Sequence, residues 1–251
     1  MIFSMFAHIL KTAMNHKHLV FSAAFILSGL TARAQALVLL TQEDSKKNTS
    51  RVIIVDEDGN ATTVSIPVLK VHSFSEGMAA IMSPDKKYGF IDVNGTLVIS
   101  CRFHAVGLFK NELAWAKDEK GKVGFIDKTG KWVIGPEYDA VRSFDPVSGM
   151  ARVKQNDKWF YVDASGDALQ IDTDAFFDFS EGLAMGEKRG LRGYFDKKGE
   201  WIIEPKFQDA KKFENGYARV KMNGKWGIID KSGKWVIEPE YEVLKDIEPG
   251  E

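Results

Sequence analysis

Residues 225–241 read Lys225-Trp226-Gly227-Ile228-Ile229-Asp230-Lys231-Ser232-Gly233-Lys234-Trp235-Val236-Ile237-Glu238-Pro239-Glu240-Tyr241. Trp226 and Ile228 alternate with Gly227 and Ile229, the period-two signature of a strand whose successive side chains point to opposite faces. Asp230-Lys231-Ser232-Gly233 has the pattern of a tight turn. The aspartate can accept hydrogen bonds from the turn backbone, and the glycine can take the left-handed conformation that other residues resist. A turn of this kind joins two antiparallel strands. The second strand, Lys234-Trp235-Val236-Ile237, closes on Pro239-Glu240-Tyr241.

The same pattern recurs upstream. A phenylalanine stands at Phe74, Phe109, Phe144, Phe179 and Phe213, at intervals of 35, 35, 35 and 34 residues. A turn and a small apolar strand follow it, as in Gly77-Met78-Ala79, Asn111-Glu112-Leu113-Ala114, Gly149-Met150-Ala151, Gly182-Leu183-Ala184 and Gly216-Tyr217-Ala218. The Asp-x-x-Gly turn recurs at Asp92–Gly95, Asp127–Gly130, Asp163–Gly166 and Asp196–Gly199, and again at Asp56–Gly59. Spacing this regular marks a tandem repeat. The repeats are read as 74–108, 109–143, 144–178, 179–212 and 213–251, after a partial capping repeat at 51–73 and a polar linker at 35–50. One three-stranded unit of this size is too small to be stable alone, so neighbours must cover one another's apolar faces. The expected fold is all-β: repeats of about 35 residues, each a three-stranded antiparallel meander, stacked in an open curved array. A closed, propeller-like ring is the alternative.

Lys225-Trp226-Gly227, the Asp-x-x-Gly turn and the Trp-Val-Ile-Glu-Pro-x-Tyr strand resemble the bacterial WG (KWG) repeat. The resemblance covers Phe74 to Glu251, with a weaker echo from Arg51. The third repeat departs from it, with Trp159-Phe160 in place of Trp-Gly and no closing proline; the fourth has Arg192-Gly193. The resemblance implies a repeat or interaction module with no agreed biochemical activity.

The first 34 residues read differently. From Met14 the chain has a positive start at Lys17, an apolar run from Leu19 to Leu30, and the small-x-small pattern Ala32-Arg33-Ala34. This is the pattern of an export signal cleaved before Gln35, with Met14 as the true start and Met1 to Ala13 as an upstream extension. The run is too short to span a membrane, so no span is expected after cleavage. Cleavage takes Lys11, Lys17 and Arg33 and no acid from a chain of 34 basic and 35 acidic residues. The mildly acidic, mixed surface that remains has no basic stripe for phosphates, which argues against nucleic acid.

Cys101 is the only cysteine, so the chain makes no internal disulfide. Cys101 and His104 are the obvious nucleophile and base, but three residues apart on an extended strand they point to opposite faces. Beyond residue 34 the only other histidine is His72, too few for a histidine-based metal site or a serine triad. Asp56-Glu57-Asp58 lacks the spacing of a calcium loop, and no glycine-rich phosphate loop is present. No catalytic residue, metal site or cofactor is expected.

Trp132, Trp201 and Trp235 occupy equivalent positions, with Leu97 and Leu169 in the other repeats. Leucine in their place favours burial over a ligand platform. Trp115, Trp159, Phe160 and Tyr161 interrupt the consensus and are the candidate binding residues, against local repacking of a diverged repeat. The function expected is non-catalytic binding in the cell envelope or outside the cell, with a protein or an envelope glycan as partner. A hydrolase of envelope polymers is the alternative.

Overall fold

The computed structural model describes residues 19–25, 36–44, 49–56 and 60–244; these contain strands and no helix. The chain forms two compact units, residues 1–137 and 138–251. Both are built from open four-stranded antiparallel sheets in which neighbours in the chain are neighbours in the sheet.

In the first unit, β1 (Leu19–Phe25), β2 (Ala36–Asp44), β3 (Thr49–Val55) and β4 (Ala61–Thr63) make one sheet. The next contains β5 (Lys70–Val71), β6 (Met78–Met82), β7 (Tyr88–Asp92) and β8 (Leu97–Phe103). The third contains β9 (Ala105–Val106), β10 (Ala114–Lys117), β11 (Val123–Ile126) and β12 (Trp132–Tyr138). In the second unit the fourth sheet contains β13 (Ala140–Val141), β14 (Met150–Gln155), β15 (Lys158–Asp163) and β16 (Ala168–Leu169). The fifth contains β17 (Ala175–Ser180), β18 (Leu183–Lys188), β19 (Leu191–Phe195) and β20 (Trp201–Phe207). The sixth contains β21 (Asp209–Ala210), β22 (Tyr217–Met222), β23 (Lys225–Asp230) and β24 (Trp235–Tyr241).

The all-β repeat architecture is as expected, but each repeat has four strands where three were expected. The additional strand is the short one that opens most of the sheets, such as Ala105–Val106 and Ala140–Val141. Two residues cannot display a period-two pattern, so nothing in the local sequence marks them as a strand. The stretches read as export signal and linker contribute β1 and β2, and residues 51–55 with 61–63 complete that sheet. Met14 and the cleavage pattern at residues 32–34 lie outside the described residues.

The Asp-x-x-Gly turns work as their chemistry predicts. Asp127 Oδ1 accepts the amides of Thr129 and Lys131, at 2.9 and 3.0 Å. The Gly130 amide bonds back to the Asp127 carbonyl, with Gly130 at φ 82°. Asp92, Asp163, Asp196 and Asp230 each accept two turn amides in the same way. Residues 57–59 of the Asp56 turn lie outside the described residues.

A second glycine role belongs to Gly227 of the Trp-Gly dipeptide and its equivalents in other repeats. A Cβ on Gly89, Gly124, Gly193 or Gly227 would run into the backbone of the fourth strand, at Ile99, Ile134, Ile203 and Ile237 respectively. The pairing of β7 with β8, β19 with β20 and β23 with β24 shifts register at this point. The glycine therefore lets a bulged fourth strand cross close to the third.

The core lies between successive sheets. Ile99, Phe103 and Phe90 of the second sheet pack with Phe109, Ala114, Ala116 and Ile126 of the third. Tyr194, Ile203 and Phe207 of the fifth pack with Phe213, Ala218, Val220 and Ile229 of the sixth. The recurring alanines Ala79, Ala114, Ala184 and Ala218 have no exposed surface, which permits this close stacking. Carboxylates also link one repeat to the next. Glu76 accepts the amides of Asn111 and Glu112 at 2.7 and 2.9 Å, and Lys128 Nζ lies 3.7 Å from it. Asp145 accepts the amides of Glu181 and Gly182, both at 3.1 Å.

Candidate functional site

The four candidate residues fall in three different environments. Tyr161 is core. It is 1% exposed and packs against Phe176, Phe179 and Phe195. It holds the position that Phe90 and Phe125 hold in earlier sheets, each opposite the equivalent residue of its second strand: Arg152 here, Ala80 and Trp115 there. Its hydroxyl donates to the Phe177 carbonyl of the next sheet. Tyr194 does the same to Lys211, at 2.5 Å. Burial pushes the ionisation of both hydroxyls far up, so they act as neutral donors. Tyr161 thus belongs to the repeated architecture and offers no surface to a ligand.

Trp115 is half-buried on β10. Its indole occupies the space that a side chain on Gly107 would need, and the Gly107 amide bonds to the Trp115 carbonyl at 2.9 Å. The matching pair in the fourth sheet is Arg142 and Arg152, whose backbones bond in the same way. A large residue on one strand is compensated by the smallest on its neighbour. The indole is thus packed against the neighbouring strand and remains half-buried.

Phe160 and Trp159 make a different arrangement. Phe160 stands where the second, third, fifth and sixth sheets have glycine, and its ring lies edge-on to Tyr138 at 6.1 Å. The side chain fills the place through which a fourth strand would cross. Accordingly β16 is two residues long and pairs only with Tyr161 and Val162. In the second, fifth and sixth sheets the fourth strand continues to the residue opposite the Trp159 position, pairing Tyr88 with Phe103, Arg192 with Phe207 and Trp226 with Tyr241. Trp159 has no such partner across the sheet.

Trp159 is half-buried and carries cations instead. The Arg152 guanidinium lies 4.7 Å from its ring centroid and that of Arg142 5.9 Å. Asp178, on β17, joins both: Arg152 Nε is 2.8 Å from Oδ1, and Arg142 Nε is 3.8 Å from Oδ2. The Arg152 contact is an ion pair off the N–H direction, since Nε is buried without an aligned hydrogen-bond partner. Arg152 Nη1 donates to the Phe176 carbonyl at 3.2 Å. Trp226 repeats the motif in the sixth sheet, with Lys211 at 5.5 Å and Lys221 at 5.9 Å. Trp159 and Trp226, at equivalent positions, are therefore platforms for the chain's own cations. Arg142, Arg152 and Asp178 were not singled out from the sequence. The available signal was position, since Arg142 and Lys211 each directly follow a two-residue first strand.

Trp132, Trp201 and Trp235 pack as expected, edge-on to Phe103, Phe195 and Phe207. Cys101 is half-buried against the core of the first two sheets, and burial pushes its thiol up despite a hydrogen bond from Ser83, the reverse of an activated nucleophile. His104 is engaged at both ring nitrogens, by Lys87 Nζ at 2.6 Å and the Asp118 carbonyl at 2.9 Å. Among the described residues no group of His, Cys, Asp or Glu is arranged to hold a metal ion, and no helix is long and apolar enough to cross a membrane.

No curated protein matches the chain. Among solved structures it is similar to the β-propeller domain of the Trilobed protease from Pyrococcus furiosus, described as having an open velcro topology. Identity is 14%, over 89% of this chain and 86% of that one, with a TM-score of 0.42. It is also similar to the WD40 β-propeller domain of Doa1, at 14% identity over 81% and 94% of the two chains and a TM-score of 0.31. A third similarity is to PorZ, a bacterial surface component of the type-IX secretion system of Porphyromonas gingivalis. Identity there is 9%, over 92% and 40% of the chains, with a TM-score of 0.31. The WG containing repeat is matched at residues 88–122, 124–159, 193–226 and 226–248, and the chain belongs to that family of tandem repeats.

Proposed function

We propose that this protein is an exported, non-catalytic interaction module that captures a partner in the cell envelope or outside the cell through its fourth sheet, around Trp159. The observation that carries the reading is the replacement of glycine by Phe160. It stops the fourth strand at Leu169 and leaves Trp159, with the exposed Arg142 and Asp178 beside it, without the strand that flanks this position in the second, fifth and sixth sheets. A protein partner is favoured over a glycan. The indole surfaces on which a sugar ring would stack already carry Arg152 and Arg142 at Trp159, and lysines at Trp226. The five turn aspartates each hold two backbone amides, so those carboxylates serve the turns. Export rests on Lys17, the Leu19–Leu30 run and Ala32-Arg33-Ala34.

The test has two arms. Expressed with a C-terminal tag, the protein should fractionate outside the cytoplasm with Gln35 as its first residue; retention in the cytoplasm with Met1 or Met14 intact overturns the export reading. The purified protein should capture a partner from envelope extract. Trp159→Ala and Arg142→Ala should each abolish that capture while the protein remains folded, as read by a cooperative unfolding transition. Catalytic product release from envelope polymers, or capture indifferent to both substitutions, overturns the binding reading.

A further inference from the structure

Lys158-Trp159 of β15 and Lys225-Trp226 of β23 stand at equivalent places, each just after a two-residue turn whose residues both have positive φ. In the sixth sheet three contacts meet there. Lys211 and Lys221 flank the indole of Trp226, Tyr241 of β24 pairs with Trp226 across the sheet, and Glu242 takes Lys225 in an ion pair. The segment that supplies the last two is acidic: residues 236–242 carry Glu238, Glu240 and Glu242 and no cation.

The fourth sheet has the first of these contacts and lacks the other two. Arg142 and Arg152 flank Trp159, but β16 ends at Leu169. Gln155 and Lys158 close the hairpin of β14 and β15. The alternation of bonded and non-bonded pairs then turns the Trp159 N–H and C=O away from β14, to the side on which Tyr161 pairs with Leu169. Among the described residues no strand pairs with Trp159 on that side. Lys158 is exposed and, among the described residues, is paired with no carboxylate. Asp178 sets one negative charge against the two of Arg142 and Arg152. The acids at the hairpin tip are engaged, Asp139 by the Asn156 amide and Asp157 by Lys154. The edge thus combines open main-chain groups with an excess of positive charge.

We propose that the edge of β15 at Lys158 and Trp159 binds an extended acidic segment of a partner protein. The segment pairs with the Trp159 main chain as β24 pairs with Trp226, and sets a carboxylate against Lys158 as Glu242 does against Lys225. It rests on capture of a protein partner by the fourth sheet, and names the chemistry of that partner. Main-chain pairing supplies affinity in strand addition of this kind, and the charges supply selectivity. Phe160 sets a further condition. Its side chain excludes the bulged crossing that Gly227 permits, so the segment lies beside β15 as a straight strand, without the proline of β24.

A fluorescent peptide of sequence Glu-Val-Glu-Tyr-Glu-Val, blocked at both ends, tests the proposal by anisotropy with the purified full chain. Saturable binding is expected, weakening as salt is raised. Lys158→Glu, at an exposed position, should raise the dissociation constant at least about tenfold, and the peptide with lysine for each glutamate should not bind. N-methylation of the tyrosine amide, which faces Trp159, should abolish binding; methylation of the glutamate amide before it, on the far edge of the strand, should not. No binding of the acidic peptide, equal binding of the lysine peptide, or binding indifferent to Lys158→Glu overturns the proposal. Envelope capture that needs Trp159 while the acidic peptide fails to bind overturns this proposal and leaves the capture reading standing. Peptide binding that needs Lys158, with no partner in envelope extract, supports the edge and overturns capture from the envelope.

Discussion

The Glu181 carboxylate accepts a hydrogen bond from the amide of Gly216, 35 residues further along the chain, at 2.9 Å. Lys231 Nζ, from the turn of the same following repeat, lies 3.1 Å from the same carboxylate oxygen. Glu76 makes the corresponding contacts in the first unit. A side chain whose partner lies one repeat away fixes the stacking of sheets, which strand pairing within a sheet cannot do. The link therefore sits where cooperativity between repeats is decided.

Burial works against the charged form of Glu181, but the Gly216 amide and Lys231 outweigh it and hold the carboxyl below its ordinary value. A carboxylate depressed in the folded state stabilises the fold above its unfolded pKa, and that contribution is lost as pH falls through the folded value. Glu181→Gln should thus cost about 1 kcal/mol at neutral pH, the lower end for a charge-assisted bond because the group keeps some water. The difference from the parent protein should shrink below the ordinary glutamate range. Urea denaturation of both proteins across pH 3–7 measures it; a difference independent of pH would show that the charge contributes nothing.

Gly193 lies beneath the fourth strand of its sheet, where a Cβ would meet the Ile203 carbonyl and the Pro205 nitrogen. Backbone cannot yield as a flexible side chain can, so Gly193→Val should cost about 2–3 kcal/mol. The loss should be local first, with amides of β19 and β20 exchanging faster than those of β14 and β15. Uniform exchange with an unchanged denaturation midpoint would show that β20 does not need the glycine.

How much of this was legible in the sequence differs by feature. The turns were, because Asp127 and Gly130 act within four residues and their chemistry is local. The opening strands were not: Ala140–Val141 is defined only by its pairing with Val153 and Lys154, and two residues carry no pattern of their own. Tyr161 was misjudged as an exception, although counting from Trp159 places it level with Phe90. The partner of its hydroxyl, the Phe177 carbonyl, lies in the next sheet, where only the stacking brings it. Phe160 was noticed as a departure, but its consequence, the short β16, depends on how closely two backbones cross. The Glu181 and Glu76 links were invisible because acidic residues are frequent and only the stacking selects these two.

The hydroxyls of Tyr161 and Tyr194 each donate to a backbone carbonyl in the following sheet, at Phe177 and Lys211. Tyr161→Phe keeps the ring and its aromatic contacts but leaves the carbonyl without this donor. A cost of about 1 kcal/mol is expected, the usual net value of a hydrogen bond. Tyr194→Phe should cost a similar amount, and the double variant the sum, since the two act at different interfaces. Denaturation midpoints read this directly, and a neutral Tyr161→Phe would mean that water replaces the hydroxyl.

Gly107 and Trp115 are the clearest case of compensation between neighbouring strands, and compensation is measurable as coupling. A side chain at Gly107 must displace the Trp115 indole, so Gly107→Val should destabilise the parent protein by about 2 kcal/mol. Trp115→Ala should itself cost about 1–2 kcal/mol, because the indole is only half-buried. In the Trp115→Ala background the same Gly107→Val change meets open space, and valine suits a strand better than glycine does. It should then be neutral or slightly stabilising, giving a coupling of about 2 kcal/mol between the two positions. A binding role for Trp115 predicts otherwise: additive stability effects, and loss of partner capture in Trp115→Ala. Repacking predicts strong coupling with capture intact, so one double-mutant cycle and one capture assay assign the residue.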